Sequence, residues 1–242
     1  MKIDKLEQFI QDNKIKTIPS EFWRLKNPDS VVLLEPFNDD LYNKVYRSNI
    51  IDKTRTFNIT FLFQREDFYH ISDIVSLVRF LFKSNYTKQY KIIFKFNYTP
   101  PSDLIRTFSI AGITYVNHLE QDQYYGLLQN SHVIVSIHRT NYSGRYLAEA
   151  AMFGIPIITS QTGGSMQLFN QNNCIFLKTK NADGIENFAP CHECYAGVFS
   201  AIENNYTTLV RFGIKARANA NRLYSVQKYK ETLKSIVENY EQ

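Results

Sequence analysis

Hydrophobic positions along the chain fall into two regimes, and the longer one begins at Phe57. From there, short apolar runs alternate with stretches in which apolar residues recur every three or four positions. Phe57–Phe63 is β-branched and aromatic, the composition of a strand. Ser72 caps a predicted helix to about Phe82, with Ile74, Val75, Val78 and Leu81 on one face. Lys91–Phe96 predicts the next strand. Pro101-Ser102-Asp103 opens a helix to Ala111 that Gly112 ends, and Ile113–Val116 follows as a strand. Glu120–Asn130 predicts a helix with Leu127 and Leu128 facing inward, followed by a strand at His132–Ile137. Gly144–Phe153 reads as a helix stopped by Gly154, and Ile155–Thr159 and Cys174–Leu177 as two further strands. After Phe188 the pattern is helical to the end, with Ser225 capping a last helix over Val226–Tyr240. Strands alternating with helices across short loops predict βαβ units, a mainly parallel sheet covered on both faces.

Residues 1–56 follow another pattern. Leu6, Phe9 and Ile10 suggest a short amphipathic helix, and Pro19-Ser20-Glu21 a second helix start carrying Phe22, Trp23 and Leu25. Val31–Leu34 predicts a short strand ended by Pro36. This stretch is too short for an α/β domain. The expected division is an appendage over 1–56 and an α/β domain over 57–242.

Composition narrows the class. With 44% hydrophobic and 21% charged residues the chain is of ordinary globular type, which excludes collagen, coiled coil and wholesale disorder. No apolar run approaches about 18 residues, so no transmembrane helix is expected. Met1–Asn13 is charged and lacks an apolar signal core, so a cytoplasmic protein is expected. The net charge of +5 is not gathered into a like-charged block, and nucleic acid is not indicated as a partner. Cys191-His192-Glu193-Cys194 has the spacing of half a zinc site, but no second pair exists, so reduced thiols and no metal are expected.

Chemistry is expected at the carboxyl ends of the parallel strands. The stretch His138-Arg139-Thr140-Asn141-Tyr142-Ser143-Gly144-Arg145 joins a buried strand to a helix. Arg145 falls in the first helical turn, where a cation opposes the helix dipole. An anion bound to the amides of Ser143, Gly144 and Arg145 and to the guanidinium would resolve the conflict, whereas a solvated arginine would simply tolerate it. Glu149 is the one charge in Leu147-Ala-Glu-Ala-Ala-Met-Phe-Gly154, an otherwise apolar helical stretch. It requires a cationic partner or a ligand, such as two hydroxyls of a sugar. Gly163-Gly164 before a helix permits a close backbone approach, or makes a plain turn. Arg65 and His70, after the first strand of the domain, could supply further anion ligands to the same crevice.

These strand ends together resemble the nucleotide-sugar-binding lobe of GT-B glycosyltransferases, especially the family-4 type. That family has a buried strand, then Glu-Gly-Phe-Gly, a helix ending Leu-Glu-Ala-Met-Ala-Cys-Gly, a Pro-containing strand and a Gly-Gly loop. Gly144 matches the last glycine of the first motif, Glu149 the second of the family's two glutamates, Gly154-Ile-Pro156 the Gly-x-Pro, and Gly163-Gly164 the loop. The first glutamate falls on Asn141, a departure. Upstream, Gln64-Arg65 matches the family's Gly-Arg, with His70 at its lysine position. Downstream, Tyr224-Ser225 resembles the start of its final helix. The likeness covers about residues 57–242. It implies a Rossmann-like parallel sheet with helices on both faces, the GT-B donor lobe, preceded by a short, mainly helical appendage.

The resemblance also implies roles. Arg65 and His70, with the amides at Ser143–Arg145 and Gly163–Gly164, would hold a diphosphate. Glu149 would bind ribose hydroxyls. Asn141 would stand where a residue touches the donor sugar, without a carboxylate's charge. Arg65 and Arg145 would stabilise the leaving diphosphate, with no metal or cofactor beyond the donor substrate, a nucleotide-diphosphate sugar. Transfer would proceed with retention, and the acceptor would sit on a reduced lobe, a partner subunit or a homodimer mate. Three readings follow: a glycosyltransferase, a non-catalytic nucleotide-sugar-binding module needing a partner chain, and a viral-type glycosyltransferase acting on modified DNA bases.

Overall fold

Side-chain alternation along the strands decides how the core divides. The computed structural model describes residues 8, 11–12, 17–18, 31–32, 34, 36–37, 56–63, 71–137, 145–161, 163–177 and 192–240. Near the N-terminus a pair of short strands, β1 (Thr17–Ile18) and β2 (Val31–Val32), run in parallel. The second lies within the strand expected at Val31–Leu34. The first, just before Pro19, has no sequence signal of its own. The helix start expected at Pro19–Leu25 lies outside the described residues.

From there the chain runs β3 (Asn58–Phe63), α1 (Ile71–Lys83), α2 (Tyr86–Gln89), β4 (Lys91–Phe96), α3 (Ser102–Ala111) and β5 (Thr114–Asn117). It continues through α4 (Gln121–Gln129), β6 (Val133–Ser136), α5 (Arg145–Met152), β7 (Ile157–Ser160), α6 (Gly163–Leu168), β8 (Ile175–Leu177), α7 (His192–Tyr224) and α8 (Val226–Tyr240). The six strands from β3 form one sheet in the order β5-β4-β3-β6-β7-β8, every pair parallel. The order runs outward from β3 on one side, then restarts at β6 on the other. The β3/β6 boundary is therefore a topological switch point, beside which open α/β sheets bind ligands.

Both faces are covered, as the apolar runs require. On one face Ile59, Phe61, Phe63, Phe94 and Phe96 meet α1, α3 and the first half of α7. Their rings interlock, with Phe63–Phe96 stacked at 4.9 Å and Phe94–Phe108 edge-on at 5.2 Å. On the other face Leu62, Ile134 and Ile157 meet α4, α5 and the last turns of α7. α7 passes from one core to the other, and Asn205 (φ −133°, ψ 22°) kinks it on the way.

Gly112 and Gly154 close α3 and α5 at φ +72° and +71°, conformations that cost other residues strain. The expectation for α4 needs correcting: Leu128 is fully buried, but Leu127 is only half-buried, because the two lie about 100° apart on the helix. Ser225 caps α8 as its sequence position predicts, its hydroxyl accepting the Lys228 N–H at 3.1 Å. Ser225→Ala should cost about 1 kcal/mol, seen in thermal melts as a drop of roughly 2–4 °C.

Candidate functional site

Strand pleating puts a charge where the sequence shows an apolar run. β4 reads Lys-Ile-Ile-Phe-Lys-Phe, and Ile92, Phe94 and Phe96 point into the aromatic core. Alternation sends Lys95 to the opposite face, beside Leu62 of β3, its register partner. That face is roofed by α4 and α5. Lys95, Asn97, Gln121, Tyr124 and Glu149 line a cleft of about 330 Å³ there, closed by Leu62, Leu119, Tyr125 and Tyr146. The volume is at the small end of ligand pockets.

Local structure fixes each wall. α4 begins at the cleft, where the Gln123 side chain accepts the Glu120 N–H at 3.1 Å. α5 is tied to the end of β6 by a buried hydrogen bond of 2.7 Å between the Ser136 and Tyr146 hydroxyls. Arg145 is the first residue of α5 and Glu149 lies one turn on, so the two side chains share a face. Arg145 Nε is 3.7 Å from Glu149 Oε1, and the Arg145 guanidinium lies 4.9 Å over the Phe37 ring. The arginine therefore meets the helix dipole with a carboxylate one turn down and an aromatic face. Phe37 is held in turn by stacking on Tyr224 at 4.9 Å and by donating its N–H to the Tyr224 carbonyl at 3.0 Å.

Glu149 is the electrostatic centre. Its side chain keeps 21% of its exposure, against 40% for Arg145. Burial pushes its carboxyl above the usual carboxylate range. Arg145, Lys95 and the neighbouring Tyr124 hydroxyl pull it back without cancelling that rise. Lys95 is the mirror case: burial lowers its ammonium, and Glu149 partly restores it. Lys95 Nζ also touches Asn97 Oδ1 and sits 5.2 Å from the Tyr124 ring centre, a cation–π contact. A desolvated carboxylate flanked by cations, opening into a cleft, suits the binding of neighbouring hydroxyls.

Of the residues singled out from sequence, Arg145 and Glu149 are brought together. Gly163 and Gly164 form the first turn of α6 at the end of β7 rather than a loop before it. Arg65, His70, Asn141, Ser143 and Gly144 lie outside the described residues, as does Cys191. Cys174 and Cys194 are buried free thiols, and among the described residues no cluster suited to a metal occurs. Sequence reasoning missed Lys95, Asn97, Gln121 and Tyr124. The one available signal was Lys95, a charge inside a strand destined for burial on both faces.

Residues 78–190 match the glycosyl transferase-like family. Among solved structures, a mutant of S. aureus TarM in complex with fondaparinux, α-GlcNAc-glycerol and UDP superposes with a TM-score of 0.64 at 14% identity, covering 89% of this chain and 42% of that one. Sucrose-phosphate synthase from Thermosynechococcus elongatus gives 0.61 at 16% identity, covering 94% of this chain and 57% of that one. The C-terminal domain of LpcC, a group 1 family glycosyl transferase of Francisella tularensis, gives 0.54 at 12% identity, covering 79% of this chain and 96% of that domain. The chain thus spans about half the length of the first two proteins and most of a domain in the third. No curated protein matches by sequence. No helix among the described residues is long and apolar enough to cross a membrane.

Proposed function

We propose that this chain, glycosyl transferase-like in sequence over residues 78–190 and GT-B in fold, binds a nucleotide-diphosphate sugar and transfers its sugar to an acceptor. The observation that carries the reading is Glu149: a desolvated carboxylate, opening into a nucleoside-sized cleft beside the switch point of a parallel sheet. In this reading Glu149 accepts hydrogen bonds from the ribose hydroxyls, and the nucleoside lies in the cleft with Tyr124, Gln121 and Asn97 around it.

The diphosphate then extends toward the start of α5. Arg145 would neutralise the charge that grows on the leaving group, joined, as the family resemblance implies, by Arg65 and His70 and by the amides of Ser143–Arg145 and Gly163–Gly164. By the same resemblance, Asn141 would face the donor sugar. The bond from C1 of the sugar to the diphosphate breaks as the acceptor hydroxyl bonds to C1 on the same face, its proton passing to the departing phosphate oxygen. Stabilising the diphosphate lowers this barrier without a protein nucleophile, and same-face attack gives the retention that the family resemblance implies.

The test is a thermal-shift screen against uridine, guanosine, adenosine and cytidine diphosphates. At a ligand concentration near 100 times Kd, binding stabilises by about 2.7 kcal/mol, a rise of roughly 5–10 °C. A flat response to all four would overturn the reading. Asn141 in place of a carboxylate favours a second reading, donor binding without transfer. In that case a nucleotide that binds would not be released from its sugar in a donor-consumption assay.

A further inference from the structure

Glu149 has two cationic neighbours of different character. Arg145 starts a helix, keeps 40% of its side-chain exposure and divides itself between Glu149 and the Phe37 ring. Lys95 is rooted in a central strand. Its backbone is in register with Leu62 on one side and Val116 on the other. Its half-buried ammonium is held against Asn97 and the Tyr124 ring inside the cleft. Among the described residues, Arg145 from α5, Lys95 from β4 and the neutral phenol of Tyr124 from α4 are the titratable groups that act on the carboxylate.

The donor-binding reading, on which this inference rests, asks Arg145 to serve the diphosphate. A guanidinium committed to phosphate oxygens is largely lost to Glu149, at the moment when the carboxylate must be ionised to accept two hydroxyls. We infer that Lys95 is a positioning residue for Glu149: the fixed counter-charge that keeps this carboxylate ionised and oriented toward the nucleoside when Arg145 turns to the diphosphate. Lys95 is not itself required to touch the reacting atoms. A strand-borne cation suits the task, because it cannot follow the ligand away from the carboxylate.

The test is the pH dependence of nucleoside-diphosphate affinity, measured by calorimetry from about pH 5 to pH 8.5, upward from the ordinary carboxylate range. The uridine, guanosine, adenosine and cytidine diphosphates are tried on the wild type, and the tightest is carried forward. The diphosphate's own titration is common to all variants and cancels between them. Binding should weaken on the acid side as Glu149 takes up a proton. In Lys95→Met and Lys95→Gln, Glu149 loses a cation, its pKa rises, and the acid limb should move up by about one unit. Affinity on the acid side of the wild-type limb should then fall about tenfold. Lys95→Arg should restore the limb. In a Glu149→Gln background, Lys95→Met should cost nothing further, because the group it serves is gone.

A uniform loss with an unmoved acid limb, an additive loss in the Glu149→Gln background, or failure of both Lys95 variants to fold would each overturn the inference while leaving the donor reading standing. A wild-type protein that binds none of the four would overturn both.

Discussion

Glu149→Gln is expected to fold with a melting temperature equal to or above that of the wild type and, on the proposed donor-binding reading, to lose about 100-fold in affinity for a nucleoside diphosphate. Both halves follow from one environment. Burial raises the Glu149 carboxyl pKa above its value in the unfolded chain despite two nearby cations. A raised folded-state pKa means that the ionised form is the disfavoured one. The stability this group contributes is present below the ordinary carboxylate range and is lost as pH rises through the elevated value. At neutral pH the charge therefore weakens the fold, and an amide of the same shape removes that burden.

Binding responds in the opposite sense. Two ribose hydroxyls donating to a carboxylate are charge-assisted, and their loss costs about 3 kcal/mol, or roughly 100-fold. A structural ion pair would behave otherwise: removing Glu149 would lower the melting temperature and leave any ligand shift intact. Thermal melts with and without the nucleotide, on wild type and variant together, separate the two.

The sheet was legible because its signal is local. Each strand of the domain is a short apolar or β-branched run, and each helix between them has a polar start or a glycine stop, such as Gly112 and Gly154. Strand order was legible only as far as the rule for βαβ units reaches. The pairing of β3 with β6, which creates the switch point, joins residues more than 70 positions apart, as in the buried Thr60–Ser131 hydroxyl contact, and no local pattern encodes it. Glu149 announced itself as a lone charge among apolar helical positions. Lys95 carried the same kind of anomaly, a charge in Lys91–Phe96, but strand period alone does not say which face will be roofed by which helix. Tyr124 and Gln121 look like ordinary positions of an amphipathic helix until α4 is seen beside α5. The Phe37–Tyr224–Arg145 contact spans most of the chain and has no sequence signature at all.

The same limit shows in two glycines of α7, where substitution should produce opposite results. Helix propensity treats Gly197 and Gly213 alike: each lies within the helix, and alanine should stabilise either by up to about 1 kcal/mol. Around Gly197 nothing lies within 4 Å of where a Cβ would stand, so Gly197→Ala should show that gain. At Gly213 a Cβ would fall 2.3 Å from the Gly154 carbonyl oxygen and 3.0 Å from the Pro156 nitrogen. Both obstacles are backbone. Gly154 is committed to its positive φ and Pro156 has a fixed ring, so neither can swing aside as a side chain could. The helix must retreat from the turn that ends α5, opening the buried seam where Ala216 and Ala220 pack with Ala150 and Ala151. Gly213→Ala should therefore lose about 3 kcal/mol, a fall of roughly 6–12 °C in thermal melts. The disturbance reaches the site, because α5 carries Arg145 and Glu149. At temperatures where the variant is still folded, its affinity for the nucleotide should fall as well, while Gly197→Ala keeps wild-type affinity. A Gly213→Ala protein as stable as Gly197→Ala would show that α7 does not press on the α5 turn, and would remove this helix as a support of the cleft.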